Sequence, residues 1–265
     1  MPPRGHGVPG LSLDEEGVIM NSGKTNLVSR LLRVANAVLA LGLAGLSTPS
    51  FGDGAIDMHA VVQETQQMSQ GSGDMTLVWW LPEQFWEASM AQNPDVSRAQ
   101  VDEFVKTVRP YTMIAVVDGQ IGAFAGVTYK SDQVIRSTVF LRDAQGESYA
   151  PIAESAINPD TRNLLQMLKP VIANMLGPMG ENMHFLLFPA VDKQGRPLAD
   201  PTKAGAFQVA VGEKTFSYRL PLGSVLPPKF DPGTRERFPG NYNFNPYTGG
   251  KLTVTPPAGT ASPAP

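Results

Sequence analysis

Apolar and polar positions along this chain change period several times, and each change marks an element. Thr76-Leu77-Val78-Trp79-Trp80-Leu81 is an unbroken apolar run, short enough for a buried strand. Pro82 stands where a helix can begin, and Leu81, Phe85, Trp86, Ser89 and Met90 share one side of the turns that follow, as far as Asn93-Pro94. Ser97 with Gln100 forms a capping box, after which Val101, Phe104, Val105 and Val108 keep the spacing of a core-facing helical stripe that Pro110 ends. The period then shortens. Tyr111 to Val117 and Ile121 to Tyr129 are β-rich runs joined by Asp118-Gly119, a dipeptide that tolerates the positive φ of a hairpin turn. Val134 to Leu141 alternates, and Asp143-Ala144-Gln145-Gly146 reads as a turn into Glu147 to Ile152, so a four-stranded antiparallel meander is expected.

Asn158-Pro159 supplies a cap and a first-turn proline for the longest apolar stripe, Leu164, Leu165, Leu168, Val171, Ile172, Met175 and Leu176. Pro170 should kink that helix, and Gly177-Pro178 closes it. Met183 to Phe188 is a second buried-strand run, while Phe207 to Val211 and Thr215 to Leu220 flank Gly212-Glu213 as a hairpin. Strands and helices come in separate blocks. The expected fold class is α+β: a mainly antiparallel sheet with helices packed on it, in a single domain spanning 75–229.

The ends read differently. Lys24, Arg30 and Arg33 precede an apolar stretch from Val34 to Leu46, and Ser47-Thr48-Pro49-Ser50-Phe51-Gly52 supplies a small, turn-prone end, so 1–52 reads as an N-terminal extension plus a cleavable export signal. The apolar stretch falls short of the roughly 20 residues that span a bilayer, so no transmembrane segment is expected in the mature chain. Residues 53–74 read as a flexible arm and linker: Met58, Val61, Val62, Thr65 and Met68 fit a short helix, but Ser69-Gln70-Gly71-Ser72-Gly73 follows at once. Residues 253–265 are rich in Pro, Ala, Thr and Ser, and are expected to be disordered.

Charge narrows the partners. Removing Met1 to Gly52 takes away four basic residues (Arg4, Lys24, Arg30, Arg33) and three acidic ones (Asp14, Glu15, Glu16), leaving 17 basic and 21 acidic. A net charge of −4 argues against nucleic acid. The chain has no cysteine, which excludes disulfides and a lipidated N-terminal Cys.

Between core and tail, 230–252 repeats one pattern. Asp231-Pro232-Gly233-Thr234 and Asn245-Pro246-Tyr247-Thr248-Gly249 each place an Asp or Asn, a Pro, any residue and a Thr. With cysteines at the Asp, Asn and Thr positions the segment would read as two thiolate knuckles, so it resembles a zinc ribbon emptied of its ligands. Core and tail together resemble uncharacterised exported bacterial proteins, a family that implies no function for any residue. Thr hydroxyls and an Asn amide are poor zinc ligands, so no metal is expected, and the knuckles should keep their turns by bonding Asp and Asn side chains to their own backbone.

No constellation of residues spells out catalysis. His59 and His184 have no ligand or triad spacing around them, Ser72 lacks the strand and helix of a nucleophile elbow, and the glycine pairs Gly119/Gly122 and Gly177/Gly180 lack a phosphate loop's Lys-Ser/Thr. No catalytic residue and no cofactor are assigned. The recognition candidates are aromatic: Trp79, Trp80 and Trp86 for a ligand, and Phe238, Tyr242, Phe244 and Tyr247, with Arg235 and Arg237, for partner docking. The sequence therefore suggests an exported, periplasmic or extracellular, non-enzymatic binding or scaffold protein whose partner is an envelope protein or glycan. The alternatives are an exported hydrolase using Glu83, Glu87 or Asp102, and a small-ligand or glycan-binding protein with its pocket between the kinked helix and the sheet.

Overall fold

A computed structural model describes residues 56–256 except 72 and 125. The leader lies outside these residues, as does 257–265. The body has three layers: helices, a five-stranded sheet, and a second sheet of four strands. In the first sheet β2 (Asp74–Trp80) pairs antiparallel with β3 (Tyr111–Ile121), placing Leu77 opposite Val117 and Trp80 opposite Ile114. β1 (Gln66–Gly71) flanks β2, β4 (Val127–Tyr129) pairs with the end of β3, and β7 (His184–Pro189) pairs with its beginning.

This arrangement explains the continuous apolar runs. Side chains alternate across a strand, and here both faces are covered. Leu77, Trp79, Met113, Ala115, Val117, Phe185 and Leu187 meet the helices, whereas Val78, Trp80, Ile114, Val116, Leu186 and Phe188 meet the second sheet. That sheet, ordered β6 (Ser148–Tyr149), β5 (Val139–Arg142), β8 (Gly205–Val211), β9 (Lys214–Leu220), has only one covered face. Its sequence accordingly alternates, with Val139, Leu141, Phe216 and Tyr218 turned inward. Gly212, at φ 58, makes the β8–β9 turn that its position predicts.

The helical layer follows its caps. α2 (Glu83–Ala91) starts after Pro82, and α3 (Arg98–Val108) carries the reciprocal Ser97–Gln100 capping box. α5 (Pro159–Leu176) begins where the Asn158 side chain accepts from Asp160 N, contains Pro170 within its span, and stops at Gly177 with φ 57. The short α6 (Pro178–Glu181) then leads into β7. The fold is α+β with antiparallel sheets in one compact body.

Three expectations are corrected. Residues expected as a flexible arm form α1 (Met58–Thr65), which buries Val61 and Thr65, and then edge strand β1. Its Glu64 carboxylate accepts from the Gly223 and Ser224 amides at 2.8 and 2.9 Å and from the Ser224 hydroxyl, which fixes the helix to the body. Asp118-Gly119 is no turn. β3 runs straight through it, because Asp118 is buried against Thr76 and Lys130, and because Gly119 allows an approach in which a Cβ would lie 2.9 Å from Val127. The chain instead reverses where Gly122 N donates to Gly126 O at 2.7 Å.

Most of the predicted strand Val134 to Leu141 is helix α4 (Asp132–Thr138), and only β5 remains, paired in the second sheet. The meander is therefore split between two sheets. An Asp132–Arg136 ion pair one turn apart favours the helix, and Ile135 alone among its residues is buried. At one end the two sheets are tied by a polar chain: Lys214 Nζ lies 2.7 Å from Asp74 Oδ2 and donates to Thr76 Oγ1 at 2.8 Å, while Thr76 donates to Asp118 Oδ1 at 2.9 Å. The Lys214 hydrogen bond holds the Asp74 carboxyl below its ordinary range.

Candidate functional site

The tryptophans were candidates because a strand must point Trp79 and Trp80 apart. Both directions are filled. Trp79 packs edge-on against Phe85 at 5.3 Å beneath the helices, and Trp80 against Phe207 at 4.9 Å between the sheets. Trp86 leans on Phe85 and Phe104, each 5.1 Å away. Exposures of 5%, 1% and 6% for Trp79, Trp80 and Trp86 leave no ring face for a sugar, which corrects the reading of an exposed indole platform. The second sheet is what covers Trp80.

The nominated carboxylates face arginines rather than each other. Arg109 donates through Nε and Nη2 to both oxygens of Glu83, at 3.0 and 2.7 Å. Arg98 reaches Asp102 at 2.9 Å and Glu87 at 3.7 Å. A hydrolase of the glycosidase type needs two carboxyls opposed across a cleft, and these three do not supply that arrangement. A cleft of about 320 Å³ does open beside Glu83, lined by Trp80, Gln84, Arg109, Thr112 and Asp200. It lies against α2, α3 and the start of β3. Its charges are already matched, Glu83 by Arg109 and Asp200 by Lys203 at 3.0 Å.

His184 is the buried end of a chain of polar contacts that runs out to the surface. Its Nδ1 lies 3.0 Å from Asp132 Oδ1, Arg136 Nε donates to Asp132 Oδ2 at 2.7 Å, and Arg136 Nη2 donates to Glu154 at 3.0 Å. Burial alone would raise the Asp132 carboxyl, but Arg136 and His184 outweigh it and hold it below its usual value. His184 Nε2 is sealed from solvent and has no hydrogen-bond partner among the described residues, while Nδ1 ties β7 to α4 through Asp132. His59 sits exposed on α1. Among the described residues, no group of three or more His, Cys, Asp or Glu side chains is placed to hold a metal ion.

The segment after β9 is built differently. β10 (Lys229–Phe230) pairs with β11 (Arg237–Phe238), Phe230 bridges to Thr253, and Phe244 bridges to Lys251. The ordered unit thus extends past the expected end of the tail and takes in Thr253. Inside it, Asp231 Oδ1 accepts from the amides of Gly233 and Thr234 at 2.8 and 3.0 Å, and Asn245 Oδ1 accepts from those of Tyr247 and Thr248 at 2.9 and 3.3 Å. One turn later Arg235 N and Gly249 N each donate back, to the carbonyls of Asp231 and Asn245, both at 2.8 Å. The knuckles share one bonding pattern, held by side chains that bond their own backbone. Hydrogen bonds from Asn245, Thr234 and Gly233 hold the Asp231 carboxyl below its ordinary range.

The unit sits on the body through glycines. Gly240 N donates to Gly223 O at 3.1 Å, and a Cβ on Gly223 would lie 2.6 Å from Pro239 Cβ. Its aromatic set divides. Phe238 is buried, its ring centroid 6.4 Å from that of Tyr247, a correction to its assignment as a docking residue. Tyr242, Phe244 and Tyr247 are 41%, 60% and 81% exposed. What singles out this segment is the alternation of buried Asp231, Phe238, Asn245 and Leu252 with displayed rings, which sequence spacing alone does not resolve.

No protein-family model, curated protein or solved structure matches this chain.

Proposed function

We propose that this chain is an exported, non-enzymatic binding or scaffold component of the cell envelope that docks a partner protein through its C-terminal ribbon. The observation that carries this reading is the display of Tyr242, Phe244 and Tyr247 on a unit whose interior is fixed by the Asp231 and Asn245 knuckles. Large rings left in water are costly unless a partner covers them, and rigid aromatic groups of this kind dominate the energetics of protein interfaces. Export is supported by the basic and apolar leader. The pairing of Glu83, Glu87 and Asp102 with arginines and the sealed His184 ring support binding over hydrolysis. Among the described residues no helix is long and apolar enough to cross a membrane, so attachment to the envelope would run through the partner.

Capture from native envelope extract with the chain from Asp53 onward, alongside a Phe244→Ser/Tyr247→Ser variant, tests the reading. A defined protein retained by the parent and lost by the variant is the expected result. Identical profiles from the two proteins would overturn it.

A further inference from the structure

The ribbon shows which chemistry it would meet, an inference that rests on the docking reading above. Arg235 is the only non-glycine residue at positive φ among the described residues, at φ 64. The matching position in the second knuckle is Gly249, at φ 73. Both positions do the same backbone work, since each N–H closes its knuckle onto the carbonyl four residues earlier. Glycine meets that requirement without strain, whereas an L side chain in the left-handed region carries a backbone cost. Arg235 therefore carries a backbone cost that Gly249 does not, and its knuckle bond makes no use of the guanidinium.

Its surroundings supply the explanation. The ribbon's own sequence holds four basic residues, Lys229, Arg235, Arg237 and Lys251, and two acidic ones, Glu236 and the buried Asp231, although the whole chain carries a net charge of −3; Lys229 donates to Asn243 Oδ1 at 2.9 Å. Lys251 is bridged to Phe244, so a cation and an exposed ring are neighbours across a strand pair. Tyr247, 81% exposed, extends from the second knuckle, which the Asn245–Asp231 bond joins to the first. Arginine and aromatic residues together are the composition of a protein interface centre, and a guanidinium fork matches a carboxylate with two hydrogen bonds. We infer that the ribbon recognises an acidic segment of a partner protein, Arg235 pairing with a carboxylate while Phe244 and Tyr247 pack on the apolar side chains between the acids.

Arg235→Gly is the informative variant, because it removes the guanidinium and relieves the backbone at once, so its melting temperature should be unchanged or higher. The probe is a fluorescein-labelled peptide of alternating glutamate and phenylalanine, titrated by anisotropy into the full chain. Saturable binding that weakens with salt and falls about tenfold in Arg235→Gly is expected, with no binding of the matching lysine–phenylalanine peptide. Equal affinity of parent and Arg235→Gly, or no binding of the acidic peptide, overturns the inference. So does preferential binding of an oligouronate or of phosphatidylglycerol vesicles. Envelope capture that still depends on Phe244 and Tyr247 but is indifferent to Arg235→Gly would leave the docking reading standing while removing the carboxylate assignment.

Discussion

Asn245 Nδ2 donates to Asp231 Oδ2 at 2.5 Å, joining two buried side chains that lie 14 residues apart and that each organise a turn of their own. Because Asp231 is held below its ordinary value of 3.8, its contribution is fully present above that pH and is lost as pH falls through the lowered value. Backbone amide signals of the ribbon should therefore stay in place down to about pH 4 and broaden or shift below it. Asn245→Asp would set two carboxylates face to face; like charge raises the folded-state pKa of the pair, so this ribbon should instead open as pH rises through the carboxylate range, and an unchanged profile would show that the pair does not govern the ribbon.

Thr76 is wholly buried and stands between Lys214 and Asp118, so its hydroxyl links the two sheets. Thr76→Val keeps the shape and removes both hydrogen bonds, leaving the partners underbonded. A loss of about 1–3 kcal/mol is expected in urea denaturation, with an unchanged m value.

Trp80 and Tyr247 lie at opposite extremes of exposure, 1% and 81%. Trp80→Ala should cost about 3–5 kcal/mol, because it empties the space against Phe207 and Tyr218. Tyr247→Ser should change stability by no more than about 0.5 kcal/mol while abolishing partner capture. A strongly destabilised Tyr247→Ser protein would mean that the ring belongs to the fold.

Gly240 meets the body so closely that an added Cβ would lie 2.5 Å from Leu226 Cβ and would strike the Pro227 carbonyl. Gly240→Ala should cost about 1–3 kcal/mol and loosen the ribbon first. Limited proteolysis is the check: cleavage at Arg235 and Arg237 should accelerate before the body is cut.

The parts of the fold that sequence discloses are those set by local chemistry. The Ser97–Gln100 box, the Asn158-Pro159 start and the Gly212 turn depend on a few neighbouring residues, and each is where the pattern puts it. Asp118-Gly119 misleads because its turn propensity is overridden by partners 42 and 12 residues away, Thr76 and Lys130. The Trp79-Trp80 pair misleads for a related reason, since nothing local announces that a second sheet will cover Trp80. The knuckles were legible in their spacing, but which of the four aromatic residues points outward depends on the bridges to Thr253 and Lys251.

Gly223 and Ser224 join the first described helix to the ribbon. Glu64 grips the Gly223 and Ser224 amides from the N-terminal side, and Gly240 hangs on the Gly223 carbonyl from the C-terminal side. α1 and the ribbon, far apart in sequence, are thus anchored on one dipeptide, and a side chain at Gly223, whose Cβ would lie 2.6 Å from Pro239 Cβ, would disturb both attachments together.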